Sequence, residues 1–318
     1  MADTMVPDVV DRPDVLPTDR LQANGMCRPE LRAELRRIAG VRNAWTVTWL
    51  WLWVAATVAV VARFPYPWVV VVAFVLMGPV HARLAILMHE AAHKLLFVHK
   101  RVNDVVGRWL IAAPALVPIA LYRRGHFAHH RAEFGPDDPD IAYYGGYPTT
   151  RRTLLRRLTR DAVGISGWKN FKPLLRASVR PATRRVALPI VGVQAVLWAA
   201  SWAATGDWWI YPVLWWLPWM TQWRVLNRLR SLAEHGGMAA SDDRRATTHD
   251  VRQSWIARFW FVPYHAGWHL AHHVDMGIPW RNLPRYHEEL RRAGYVTPTL
   301  TRPSYRALWR ALSSEPAA

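Results

Sequence analysis

Four apolar runs constrain this chain more than any other feature. The first, AWTVTWLWLWVAATVAVVA from Ala44 to Ala62, carries no charge. Crossing the hydrocarbon layer of a bilayer takes about 20 helical residues, and this run has that reach. The second, Trp68 to Met88, begins purely apolar and meets His81 and Arg83 only near its exit. The third spans Val186 to Thr205, and the fourth Trp208 to Leu226. One such run can be imitated by a buried helix of a soluble protein. Four of them, arranged as two hairpins with short linkers, call for a membrane. Tryptophans crowd the run ends, as an interfacial belt would.

Two shorter stretches, Trp109 to Leu121 with two prolines and Ser254 to Tyr264 with an arginine, read as interfacial or re-entrant helices. A fifth span at 109–121 is the alternative. The linker after the first run holds only Arg63, and the linker after the third holds no basic residue. Lys and Arg instead fill the segment before the first run, the long middle segment from Lys94 to Arg185, and everything after Arg224. The positive-inside rule then places both termini and the middle loop in the cytoplasm. Topology and anionic headgroups account for the net charge of +18, so no nucleic-acid partner is needed. The first 25 or so residues are acidic and contain proline, and read as a disordered tail instead of a signal peptide. Cys27 is the single cysteine, which excludes an internal disulfide and any thiolate metal cluster.

Histidine is the second constraint. The segment HAGWHLAHH, His265 to His273, places four imidazoles in nine residues. His269, His272 and His273 stand at i, i+3 and i+4, which share one helix face. HFAHH repeats the pattern with His126, His129 and His130, and HEAAH offers His89 and His93. A solvated face or a set of core histidines explains any one of these clusters. Three clusters at ligating geometry point to metal, and imidazole suits iron, copper, zinc or nickel. Eight histidines exceed the needs of one ion and would serve two. Their place beside apolar spans suggests a lipid-like substrate. HEAAH also matches the HExxH of zinc peptidases, but a single-zinc peptidase leaves the HxxHH pair unexplained. A metal transporter would carry its ligands near the middle of its spans, whereas these lie at the ends.

HEAAH, HFAHH and HLAHH, in this order among paired hydrophobic spans, resemble the three histidine boxes of the membrane fatty acid desaturase superfamily, which also holds hydroxylases and carotenoid ketolases. VDMGIPWRNLPRYHEEL, with Pro279, Asn282, Leu283 and His287, resembles the continuation after the third box. LAEHGG around His235 resembles the element that supplies one further ligand. The resemblance implies a non-haem centre of two irons that activates O2 with electrons from an external donor, a ferredoxin or a cytochrome-type protein with its reductase. It implies the ligands His89, His93, His126, His129, His130, His235, His269, His272 and His273. One departure is Ser231, where some acyl desaturases place asparagine four residues before the extra histidine. His265 and His249 are not required by the pattern. His265 reads as sharing the face of the third box, and His249 as a hydrogen-bonding partner. Glu90, Glu133, Glu234 and Asp275 lie where carboxylates could orient ligating imidazoles. Asp137, Asp138 and Asp140 read as a structural loop over the site, and His81, His99 and His287 as structural.

The expected architecture is therefore an all-α integral membrane protein. Four transmembrane helices (about 44–62, 68–88, 186–205 and 208–226) form two hairpins beneath a cytoplasmic helical cap that bears the histidine boxes. A polar tail covers 1–38, one desaturase-like domain 39–300, and a C-terminal tail 301–318. The expected activity is O2-dependent desaturation of a fatty acyl chain. A hydroxylase or ketolase acting on a terpenoid or specialised lipid is the sibling reading.

Overall fold

The computed structural model describes residues 5–314. The outermost residues of both expected tails, 1–4 and 315–318, lie outside the described residues. What is described is mostly helical. Its sheet is one parallel pair of two-residue strands, Asp250–Val251 with Thr301–Arg302. The chain divides into two compact units. One comprises Met1–Ile38, Arg123–Arg156 and Arg228–Ala318; the other comprises Ala39–Tyr122 and Arg157–Asn227.

The second of these holds the apolar helices. Gly40–Arg63 has 24 residues, about 36 Å at the α-helical rise. Pro67–Ala92 has 26 residues and Arg184–Thr205 has 22. These three are long and apolar enough to cross a membrane. Trp45, Trp49, Val71 and Val196 stand well exposed along them, which water disfavours and lipid accommodates. Sequence punctuation sets the first hairpin. Phe64 precedes Pro65, whose ring disfavours a helical conformation at the residue before it. Pro67 then opens the next helix at a position where a missing N–H costs little. Farther along that helix, Pro79 removes one backbone donor. Gln222 Nε2 donates to Phe74 O at 2.8 Å close to this break, and a Cβ on Gly78 would collide with the Gln222 side chain.

The fourth run does not form one long helix. It winds through a π-helical turn, Pro212–Trp216, into the short helix Leu217–Met220. Thr221 leaves helical geometry, and a new helix, Gln222–His235, begins. Pro212 and Pro218 each lack the N–H that a regular helix would use. The shorter stretch at 109–121 is likewise no continuous helix. A π-helical turn, Gly107–Ala112, ends in a buried turn over 113–116. Exposed carbonyls would be costly there, and side chains satisfy them. Gln194 Nε2 reaches Ala113 O and Pro114 O at 2.9 and 3.1 Å, and Trp215 Nε1 reaches Pro114 O at 2.9 Å. Trp219 Nε1 reaches Ala115 O at 2.8 Å. The Gln194 Oε1 in turn accepts from Tyr211 Oη and Trp216 Nε1. Two of the tryptophans so abundant in the sequence, Trp215 and Trp219, thus act here as backbone caps.

In the other unit the expectation of a disordered N-terminal tail is corrected. Leu21, Cys27, Leu31 and Leu35 are buried in one core with Leu270, Ile278, Trp280, Leu283, Tyr286 and Leu290. Asn282 Nδ2 donates to Leu35 O at 2.6 Å, and Tyr286 Oη donates to Gly25 O at 2.8 Å. Arg20 meets Glu289 through two hydrogen bonds, and Arg32 pairs with Asp275 at 2.9 Å. Gly25 is left-handed at φ +81°, and a Cβ there would press on Leu290, Val274 and Tyr295. The segment that follows the third box is therefore the platform for the N-terminal stretch. The described part of the C-terminal tail is also packed: Tyr305, Leu308 and Leu312 are buried.

Candidate metal centre

Each histidine cluster sits where helical spacing requires it. His126, His129 and His130 occupy the last turns of Ile119–Arg131 and are all buried. His269, His272 and His273 lie on the short helix His269–Val274. His235 is the last residue of Gln222–His235, which the left-handed Gly237 follows. Beside it, His249 Nε2 donates to Gly236 O at 2.8 Å, and the His249 backbone N–H donates to Glu234 O at 2.9 Å. His249 thus holds the turn that delivers His235, the hydrogen-bonding role expected of it.

These seven histidines converge within the first unit. Ligand atoms of His129, His235 and His273 lie within 4.8 Å of one another, and so do those of His126, His130 and His272. His269 Nε2 is 3.1 Å from His235 Nε2 and 3.0 Å from His273 Nε2. His130 Nε2 is 3.0 Å from both His126 Nε2 and His272 Nε2. His89 and His93 belong to the other unit, at the C-terminal end of Pro67–Ala92. Their rings lie side by side, with centroids 4.7 Å apart. Asn103 pins that end. Its Nδ2 donates to Ala91 O, and its Oδ1 accepts from Leu96 N–H.

In three of these histidines the opposite ring nitrogen is already committed. His235 Nδ1 faces Thr247 O at 2.9 Å. A carbonyl only accepts, so Nδ1 carries the proton and Nε2 keeps its lone pair. His273 Nδ1 donates to Glu133 Oε1 at 2.5 Å, and His129 Nδ1 donates to Asp138 Oδ1 at 3.0 Å. Arg244 Nη1 braces Glu133 at 2.7 Å. His235 and His273 therefore both aim lone pairs at His269 Nε2, which can supply one proton at most. In a buried site such facing lone pairs repel, and a cation among them satisfies all three. Two buried carboxylate oxygens, Glu133 Oε2 on the residue that meets His273 and Glu234 Oε1 beside His269, have no hydrogen-bond partner among the described residues. The donor set fits metal.

Electrostatics supports the ligating form. Burial, with His273 adding to it, pushes His235 and His269 well below the ordinary imidazole value. Both are neutral at physiological pH, as ligands must be. His129 behaves differently. Burial lowers it, but the hydrogen bond to Asp138 and nearby carboxylates outweigh burial and raise it. Burial would raise Asp138, yet His129 and Tyr144 hold it down at about 2. Glu234 is lifted to about 7 by burial, and its Oε1 lies 3.5 Å from His269 Nδ1.

A family model described as Fatty acid desaturase matches residues 65–302. The chain belongs to the fatty acid desaturase family. That family is typically iron-dependent, and the three apolar helices agree with its membrane character. Among known relatives, the chain is 25% identical over 228 residues to dihydrorhizobitoxine desaturase of Bradyrhizobium elkanii. That match covers 67% of this chain and 65% of the relative's length.

Some sequence expectations move. His265 does not share the helix face of the third box. It is left-handed at φ +64° and precedes the helix, with its ring against Trp268 and Trp280. Asp275 binds Arg32 and the Gly277 N–H and orients no imidazole. Glu133 orients His273 directly, while Glu234 and Glu90 lie near imidazoles at 3.5 and 3.7 Å. Asp138, read as part of a structural loop, is the partner of His129. Tyr144 donates to the same carboxylate. The Thr247 carbonyl was invisible in sequence, because any residue type supplies one. His81 and His287 keep structural partners, Trp215 O and Asp250.

Proposed function

We propose that this protein is an O2-dependent membrane di-iron oxidase that places a double bond in a fatty acyl or similar lipid-like chain. The observation that carries the reading is the convergence of seven histidines, three of which, His129, His273 and His235, have their outward nitrogens held by Asp138, Glu133 and the Thr247 carbonyl. The proposed ligands are His126, His129, His130, His235, His269, His272 and His273, with His89 and His93 by the family pattern. When bound, iron supplies the activation of O2 that cleavage of an unactivated C–H bond needs. The chain's own residues fix the tautomers. Asp138, Glu133 and Thr247 hold protons on Nδ1 atoms and so keep each Nε2 free for the metal. Desaturation removes two hydrogens from the substrate. With two electrons from an external donor, a ferredoxin or a cytochrome-type protein with its reductase, and two protons from solvent, one O2 becomes two waters.

A second substrate class has support in the relative, whose name gives dihydrorhizobitoxine as its substrate. One experiment addresses both. The chain is expressed in a host of known lipid content, beside its His273→Ala variant, and lipid and polar extracts are compared by mass spectrometry. A product lighter by two hydrogens, present only with the wild-type chain, is expected. A product heavier by one oxygen would make the enzyme a hydroxylase, and identical extracts would sink the proposal.

The proposed topology completes a fourth crossing with the broken segment 208–226, which puts both termini in the cytoplasm. The arginine asymmetry supports it. A reporter fused after Ala318 is expected to be active in the cytoplasm, and one inserted at Phe64–Pro67 on the opposite side. A C-terminal reporter active only outside would overturn this topology.

A further inference from the structure

The stretch between Asp161 and Asp207 contains no acidic residue, yet it carries Lys169, Lys172, Arg176, Arg180, Arg184 and Arg185. The first three lie on the helix Ile165–Val179. Arg184 and Arg185 open the apolar helix Arg184–Thr205. So a strongly basic helix leads, after a short turn, into a helix fit to cross a membrane.

The faces of Ile165–Val179 are sorted. Gly167 and Leu174 are its buried residues. Leu174 packs with Ala187, Ile190 and Trp219, and Phe171 joins this cluster from its edge. A Cβ on Gly167 would run into the Met220 backbone, so this side is closed by protein. The remaining sides carry two stripes. At about 100° per residue, Trp168, Leu175 and Val179 fall within about 40° of one another. Lys169, Lys172 and Arg176 fall within about 60° of one another, directly beside them. Trp168 is 51% exposed and Val179 is 78% exposed. All three cations are exposed too.

An apolar stripe flanked by a cationic stripe is poorly suited to water. It suits the boundary of a bilayer, where one stripe meets acyl chains and the other meets headgroup phosphates. We infer that Ile165–Val179 is an interfacial helix that recruits anionic phospholipids, with Lys169, Lys172 and Arg176 as the headgroup contacts and Trp168, Leu175 and Val179 as the acyl anchor. Charge complementarity selects this occupant: six cations stand without a nearby acid in sequence, next to a membrane helix. Neither the metal centre nor the substrate reading is needed for it.

The test uses the full chain reconstituted in bilayers that mix phosphatidylcholine and phosphatidylglycerol, probed with spin-labelled versions of both lipids. The wild type is expected to favour the phosphatidylglycerol probe, and to lose that preference as salt shortens the Debye length from about 10 Å to about 3 Å. The K169Q/K172Q/R176Q variant is expected to lose about five-fold or more of the preference, because each basic side chain at an anionic surface contributes separately. R285Q/R291Q/R292Q, which removes as much charge elsewhere, is expected to leave it unchanged. Equal preference in wild type and the first variant would overturn the proposal, as would equal losses in both variants. A second readout does not depend on charge. A nitroxide on Leu175→Cys should be quenched by oxygen more than by a water-soluble nickel chelate. The reverse order, as expected if an acidic protein partner or plain water covered the helix, would also overturn it.

Discussion

His273→Ala is expected to abolish turnover and to lower bound iron from two per chain, while the protein still inserts in the membrane. His273 bridges the two kinds of contact that define the centre. Its Nδ1 donates to Glu133, and its Nε2 stands 3.0 Å from His269 Nε2. Removing it deletes one donor from the group with His129 and His235 and leaves Glu133 buried beside Arg244 alone. His269→Ala and His272→Ala should behave alike, since each presents Nε2 to another imidazole at about hydrogen-bond distance. His265→Ala should do much less. Its ring lies against Trp268 and Trp280 and meets no imidazole of the cluster. The measurements are iron and zinc per chain after growth with added iron, alongside product formation. Near-wild-type activity in His272→Ala or His273→Ala would remove this segment from the metal centre. Stoichiometric zinc with iron absent would remove the di-iron reading itself.

What the sequence reveals here depends on how local the cause is. The three long apolar helices are legible because length and composition alone decide them. The fourth run shares that composition, but Pro212 and Pro218 interrupt its ladder, and hydropathy does not register a missing N–H. The histidine boxes are legible because i, i+3 and i+4 spacing is a property of a few residues. His265 lies only four residues from His269 and yet escapes that rule. Tyr264 and His265 both have positive φ. The helix starts only at His269, because Gly267 lets the Gln253 side chain press in just before it. The N-terminal stretch is the clearest failure. Cys27, Leu31 and Leu35 repeat every four residues, but the run is short and isolated, and the partners that bury it lie about 235 or more residues away in sequence. The same holds for orienting partners. Glu133 is three residues past a box, whereas Asp138 reaches His129 only because a turn folds it back.

Asp138→Asn is expected to weaken metal retention by about 10–100-fold, the usual cost of losing a partner that orients a ligand, with turnover falling in step. Asp138 Oδ1 accepts from His129 Nδ1 at 3.0 Å and from the Asp140 N–H at 2.9 Å. Its Oδ2 accepts from the Phe134 N–H at 3.0 Å and from the Tyr144 hydroxyl. A carboxylate serves all four donors. An asparagine of the same shape must turn its NH2 toward one pair, so whichever way it is placed, two donors face a donor. If the amide faces His129, the imidazole must shift its proton to Nε2 or turn away, and either change takes the metal-facing lone pair. If the amide faces Phe134 and Tyr144, the turn that carries position 138 loses its anchor. Glu133→Gln tests the charge alone at His273: His273 Nδ1 and Arg244 Nη1 both meet Oε1, so an amide oxygen can still accept from both, and a smaller loss is expected. The check is a chelator titration of iron from wild-type and variant protein, with Tyr144→Phe as the control that removes one donor and leaves the carboxylate in place. Unchanged iron affinity in both Asp138→Asn and Glu133→Gln would show that these carboxylates do not set the imidazole tautomers.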